Sequence, residues 1–125
     1  MLTHHPPSLQ EQIPRYWTDV AVLLSIHLAG DEGATNSSID RCVDFLAKTR
    51  ITDVELYGSL YRLLCGGYIC VDDGRCFAHE QVIERCKRIP EGSDVEQAQQ
   101  AVADFLNIED PYAADPPAVP YQDLL

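Results

Sequence analysis

The side chains best suited to chemistry are five cysteines and four histidines. The thiols are Cys42, Cys65, Cys70, Cys76 and Cys86. Their number is odd and no two stand in C-x-x-C spacing, so neither a disulfide framework nor a zinc site is signalled. They read as small, mostly buried thiols in a reducing compartment. Cys70 and Cys76 can meet across a hairpin. Cys76 and His79 are three apart, which on a strand turns them to opposite sides and spoils a nucleophile–base pair. His4 and His5 form a lone pair in a proline-rich start and read as solvated. His27 lies on an apolar helical face and reads as a packed core histidine. Gly66-Gly67 ends a helix rather than opening one, so it is not a phosphate loop, and neither G-x-S-x-G nor H-E-x-x-H occurs. The sequence predicts a chain that binds rather than catalyses, with no cofactor and no metal.

The elements that would position these residues follow from periodicity. Residues 1–14, with Pro6, Pro7 and Pro14, read as a flexible N-terminal arm. A domain is expected over 15–108. Its first helix spans 18–29. Val20, Leu23, Leu24 and His27 form one face of that helix and Val22 and Ile26 a second, the pattern of a central helix. Ser37 or Ser38 caps a second helix to about Lys48, with Ile39, Cys42, Val43 and Leu46 inward. Thr52-Asp53-Val54-Glu55 is a capping box opening a third helix to about Cys65. Gly66-Gly67 supplies a left-handed stop. Tyr68–Val71 and Arg75–Ala78 are strands around an Asp72-Asp73-Gly74 turn. A short helix follows over 80–88. Ser93-Asp94-Val95-Glu96 reads as another capping box, starting a helix to about Asn107 with Val95, Ala98, Val102, Phe105 and Leu106 in one stripe. Residues 109–125 hold four prolines, four acids, two tyrosines and no base, and read as an acidic, proline-rich, disordered tail.

Helix, helix, short connection, helix and hairpin is the element order of the winged helix-turn-helix superfamily. The resemblance covers about 18–79. It is carried by helices 18–29, 38–48 and 53–65, by Leu60-x-x-Leu63-Leu64-x-Gly66-Gly67-Tyr68-Ile69, and by Asp72-Asp73-Gly74-Arg75. It implies a mainly α fold with a small β-hairpin wing and C-terminal helices. In DNA-binding members the third helix enters the major groove and the wing touches phosphates. Carried onto this chain, Leu56, Leu60, Leu63 and Leu64 point into the core with Tyr57 at the edge. The opposite surface then presents Val54, Glu55, Gly58, Ser59, Tyr61 and Arg62. Arg62 can fork onto a guanine. Lys48, Arg50 and Arg75 are the candidate phosphate contacts, although Asp72 and Asp73 flank Arg75.

Charge weighs between partners. The chain has 125 residues, 9 basic and 20 acidic, for a net charge of −11, and such a chain repels phosphate backbones. The excess is uneven: −3 over residues 1–35, zero over 36–89 and −8 over 90–125. A hydrophobic fraction of 46% suffices for a core. No apolar run is long enough to span a bilayer, no signal peptide is apparent, and a cytoplasmic location is expected. A mixed third-helix surface with flanking aromatics suits an unidentified protein partner and a regulatory role. The alternative is a DNA-binding transcriptional regulator on duplex DNA, restrained by its acidic C-terminal segment. Helix 94–107 either forms a homodimer or packs back on its own domain. The tail offers Pro117-x-x-Pro120, formally a polyproline ligand, or serves as a solubilising terminus.

Overall fold

The computed structural model describes residues 13–108. The expected arm and its His4–His5 pair lie almost wholly outside these residues, and the tail with Pro117-x-x-Pro120 lies entirely so. In chain order the elements are α1 (Trp17–Leu28), a single 3-10 turn (Gly30–Glu32), α2 (Asn36–Ala47), α3 (Asp53–Cys65), β1 (Ile69–Asp72), β2 (Arg75–Ala78), α4 (Glu80–Cys86) and α5 (Val95–Phe105). The fold is mainly helical, with one small antiparallel sheet.

α1 is the central element, as its two apolar faces require. Every residue from Thr18 to Ile26 is buried, and the helix packs against α2, α3, α5 and β2. A helix so enclosed is stablest when apolar all round or when its polar atoms find partners, and the buried Thr18 hydroxyl finds none among the described residues. Ser25 finds one locally, donating to the Ala21 carbonyl at 2.7 Å. One core runs from Val20 to Ile108 and includes Ile39, Val43, Leu56, Leu63, Val82 and Val102.

Helix starts are set by reciprocal side-chain caps, and two differ from expectation. α3 begins at the predicted box: the Glu55 N–H donates to Thr52 Oγ1 at 3.1 Å, and the Thr52 N–H donates to Glu55 Oε1 at 2.9 Å. α2 is capped by Thr35, not by Ser37 or Ser38. Ser38 is instead the third-position partner, its hydroxyl accepting from the Thr35 N–H at 2.9 Å. α5 is capped by Asp94 with Gln97 as partner. Ser93 is withdrawn from that role because its hydroxyl closes the preceding turn onto the Pro90 carbonyl at 2.6 Å. α4 stops at Cys86, two residues short of the expected end.

α3 ends as its glycines dictate. Tyr68 N–H returns to the Leu63 carbonyl and Gly67 N–H to that of Leu64, with Gly67 at φ +79°. This is the Schellman arrangement, and its left-handed residue favours glycine. The chain then enters β1. Strand pairing extends one residue further than expected, with Asp72 opposite Arg75. That leaves Asp73 and Gly74, both at positive φ, as a two-residue turn.

The hairpin is tied back to the helices. Ala34, between α1 and α2, exchanges two 2.8 Å backbone hydrogen bonds with Cys76. Gly33 makes this approach possible. Its φ is +77°, and a Cβ there would lie 2.7 Å from the Phe77 ring.

Candidate functional site

The outward face of α3 is the surface the sequence singles out, and its composition depends on where Arg62 goes. Arg62 is the one basic residue of α3. It does not face solvent. Its side chain is 1% exposed and pairs with Asp19 of α1, itself 0% exposed. Nη2 donates to Asp19 Oδ1 at 2.8 Å, and Nε lies 3.1 and 3.0 Å from the two carboxylate oxygens. Asp19 Oδ2 also accepts the backbone N–H groups of Arg15 at 2.8 Å and Tyr16 at 3.0 Å. The carboxylate thus sits at the N-terminus of α1, where the helix dipole favours negative charge. The guanidinium lies 4.7 Å from the centroid of the Tyr16 ring, within cation–π range. A buried charge persists only when paired and hydrogen-bonded in this way.

This pair rotates α3 relative to the expected phase. Leu56, Ser59 and Leu63 are the inward line, with Gly58 and Arg62 buried beside them. Leu64 is displaced outward and is 49% exposed, and Leu60 is half-buried. Gly58, Ser59 and Arg62 are therefore not surface residues. The reason is physical: Asp19 is buried, and an arginine on the facing helix satisfies it better than a leucine would.

What remains outward is acidic and apolar. Val54, Tyr57, Tyr61 and Leu64 recur at i, i+3, i+7 and i+10, which places them on one side of the helix. The first three are half-buried. Asp53 and Glu55 are the acidic residues of the first turn of α3, and Glu55 is held by the cap. Beyond the helix, Val71 of β1 is 53% exposed.

The expected phosphate contacts are all exposed, but their surroundings differ. Lys48 is the left-handed cap of α2 and borders a groove shared with α5. Arg50 lies in the connection to α3. Arg75 stands at the turn end of β2 and donates from Nη1 to the Glu32 carbonyl at 3.3 Å. Arg75 is thus tied to the 3-10 turn, whereas Lys48 lines the groove.

The expectation of mostly buried thiols holds for only two of the five: Cys76 and Cys86 are buried, Cys42 is half-buried, and Cys65 and Cys70 are exposed. All five cysteines are unpaired. Burial pushes the Cys76 thiol up, with a further push from Cys70, and burial likewise raises Cys86 against the opposing charge of Arg85. Both are thereby poor nucleophiles at neutral pH. His79 caps α4, with Nδ1 accepting the Gln81 N–H at 3.2 Å. His27 is half-buried, and burial lowers its pKa. Among the described residues no group of three or more His, Cys, Asp or Glu can hold a metal ion. No helix among them is long and apolar enough to cross a membrane.

α5 packs on α1 and α4. Gln99, Val102 and Ala103 are buried, Leu106 is buried after it, and Gln97, Gln100 and Asp104 face outward. The apolar stripe of this helix completes its own domain. Gln99 was not singled out by the sequence. Its Nε2 donates to the Leu46 carbonyl at 3.3 Å, tying α5 to α2. A glutamine on the flank of an apolar stripe is the available signal for such a contact.

Comparison with protein-family models, curated proteins and solved structures finds no match.

Proposed function

We propose that the chain is a non-catalytic winged-helix module that binds a protein through the outward face of α3, in a regulatory role. One observation carries this reading: the sole base of α3 is consumed by Asp19 in the core, leaving a face of Val54, Tyr57, Tyr61 and Leu64 on a helix whose first turn is acidic. Aromatic and aliphatic side chains on a helix suit a protein partner, whereas carboxylates at its start oppose phosphates. The winged-helix arrangement is supported by the order of α1, α2, α3 and hairpin, and by the Ala34–Cys76 bridge that seats the hairpin against the helices. The DNA-binding alternative loses its base-reading residue with Arg62, and Arg75 of the hairpin is turned onto the Glu32 carbonyl.

The test has two arms. Random duplex DNA titrated at low salt should show no binding; tight binding that weakens steeply with salt, as counterion release requires, would overturn the proposal. In affinity capture, a specific protein partner should be retained by the wild type and lost with Tyr57→Ala or Leu64→Asp. Capture unchanged by both substitutions would remove α3 as the contact surface.

A further inference from the structure

We propose that the groove between the C-terminal end of α2 and the N-terminal end of α5 is a self-complementary docking surface whose occupant is a second copy of this chain. This goes beyond the α3 reading, uses a different face, and neither requires the other.

The groove encloses about 580 Å³. Trp17, half-buried at the start of α1, and the buried Leu46 form its apolar base. One wall is α2, carrying Phe45 and Lys48; the other is α5, carrying Asp94, Val95 and Glu96. Phe45 is 73% exposed, although it sits on a helix that buries Ile39, Val43 and Leu46. A phenylalanine left so open beside an apolar hollow is a knob next to a hole.

Placing both on one face is what a two-fold interface requires, because each copy must offer the same patch to the other. A two-fold axis through the groove mouth sets the α2 wall of one copy against the α5 wall of its partner. Phe45 then enters the opposite groove over Trp17, an aromatic pairing that adds to simple burial. The charges agree with the same operation. Lys48 stands on the α2 wall and Asp94 and Glu96 on the α5 wall, so each copy's cation meets the other's carboxylates twice over. Within one copy Asp94 Oδ1 accepts the Gln97 N–H of its own helix cap, so Glu96 is the uncapped carboxylate of that wall.

Trp17 is the one tryptophan of the chain, so its emission reports on this groove alone. Sedimentation velocity at physiological ionic strength, from micromolar to millimolar chain, should show a monomer–dimer equilibrium with Trp17 emission moving to shorter wavelength as dimer forms. Phe45→Asp should weaken dimerisation by about thirtyfold or more, the loss typical of a central aromatic anchor. At concentrations where both are monomeric its thermal midpoint should match the wild type, because the replaced side chain lies outside the core. Lys48→Glu should weaken the dimer, and adding Glu96→Lys should restore it. A chain that stays monomeric throughout, or a dimer indifferent to Phe45→Asp, would overturn the proposal. So would a monomer whose Trp17 emission shifts only on adding a basic, aromatic-containing peptide, which would give the groove to a foreign partner.

Discussion

The two sides of α3 use their residues in opposite ways. Inward, Arg62 and Asp19 bury a full charge pair where the adjacent positions hold Leu63 and Val20. Outward, Tyr57, Tyr61 and Leu64 place apolar surface where a DNA-reading helix would carry bases. The contrast shows that a residue's chemistry is fixed by its partner rather than by its type. An arginine can read a guanine only if no carboxylate in the core has a prior claim on it. Here the claim is strong, because Asp19 would otherwise be a buried anion held by two backbone N–H groups alone.

Breaking the inward side should have the largest effect. Removing one partner of a buried pair leaves the other uncompensated. Arg62→Ala is expected to lower unfolding free energy by about 3–5 kcal/mol, measured by urea denaturation. Replacing both partners together, Arg62→Met with Asp19→Leu, should restore much of that loss, since well-packed apolar pairs are often neutral substitutes. A smaller loss is expected where the hairpin meets the helices. Gly33→Ala combines a left-handed backbone with a Cβ driven into the Phe77 ring, and should lose about 1–3 kcal/mol. The outward side should barely respond. Leu64→Gln is expected to stay within about 0.5 kcal/mol of wild type, so any functional loss in that variant belongs to binding.

The least effect should come from His27. Burial lowers its folded pKa, so the unfolded chain takes up the proton first. The neutral ring therefore supports folding above the ordinary histidine value near 6.5, and that support is lost as pH falls from there through the lowered folded value. His27→Gln should flatten the fall in stability between about pH 7 and pH 5. Parallel slopes for variant and wild type would show that other groups govern this range.

Much of the fold was legible in the chain. The doubly apolar α1, the Thr52–Glu55 box, the glycine stop at Gly67 and the hairpin all arise from local rules, and each stands within a residue or two of its expected position. The misplaced starts of α2 and α5 share one cause. Thr35–Ser38 and Asp94–Gln97 compete with adjacent serines that can cap equally well, and loop hydrogen bonds such as Ser93 to Pro90 decide between them. The surface of α3 was less legible. Periodicity treats arginine as outward and leucine as inward, and only tertiary pairing with Asp19, 43 positions away, reverses that for Arg62 and Leu64. Gln99 and Phe45 escape periodicity for the same reason: one is buried by a carbonyl on α2, and the other is exposed beside a groove that exists only once α2 and α5 are assembled.

The account turns on Arg62 being held in the core. Its Nε–H group is directly observable by nuclear magnetic resonance. A single, sharp Arg62 Hε resonance, protected from solvent exchange and displaced in Asp19→Asn, is the predicted result. An Arg62 Hε that exchanges as fast as those of the exposed Arg50 and Arg75, and that is indifferent to Asp19→Asn, would return this arginine to the surface and contradict the reading of α3 as a protein-binding face.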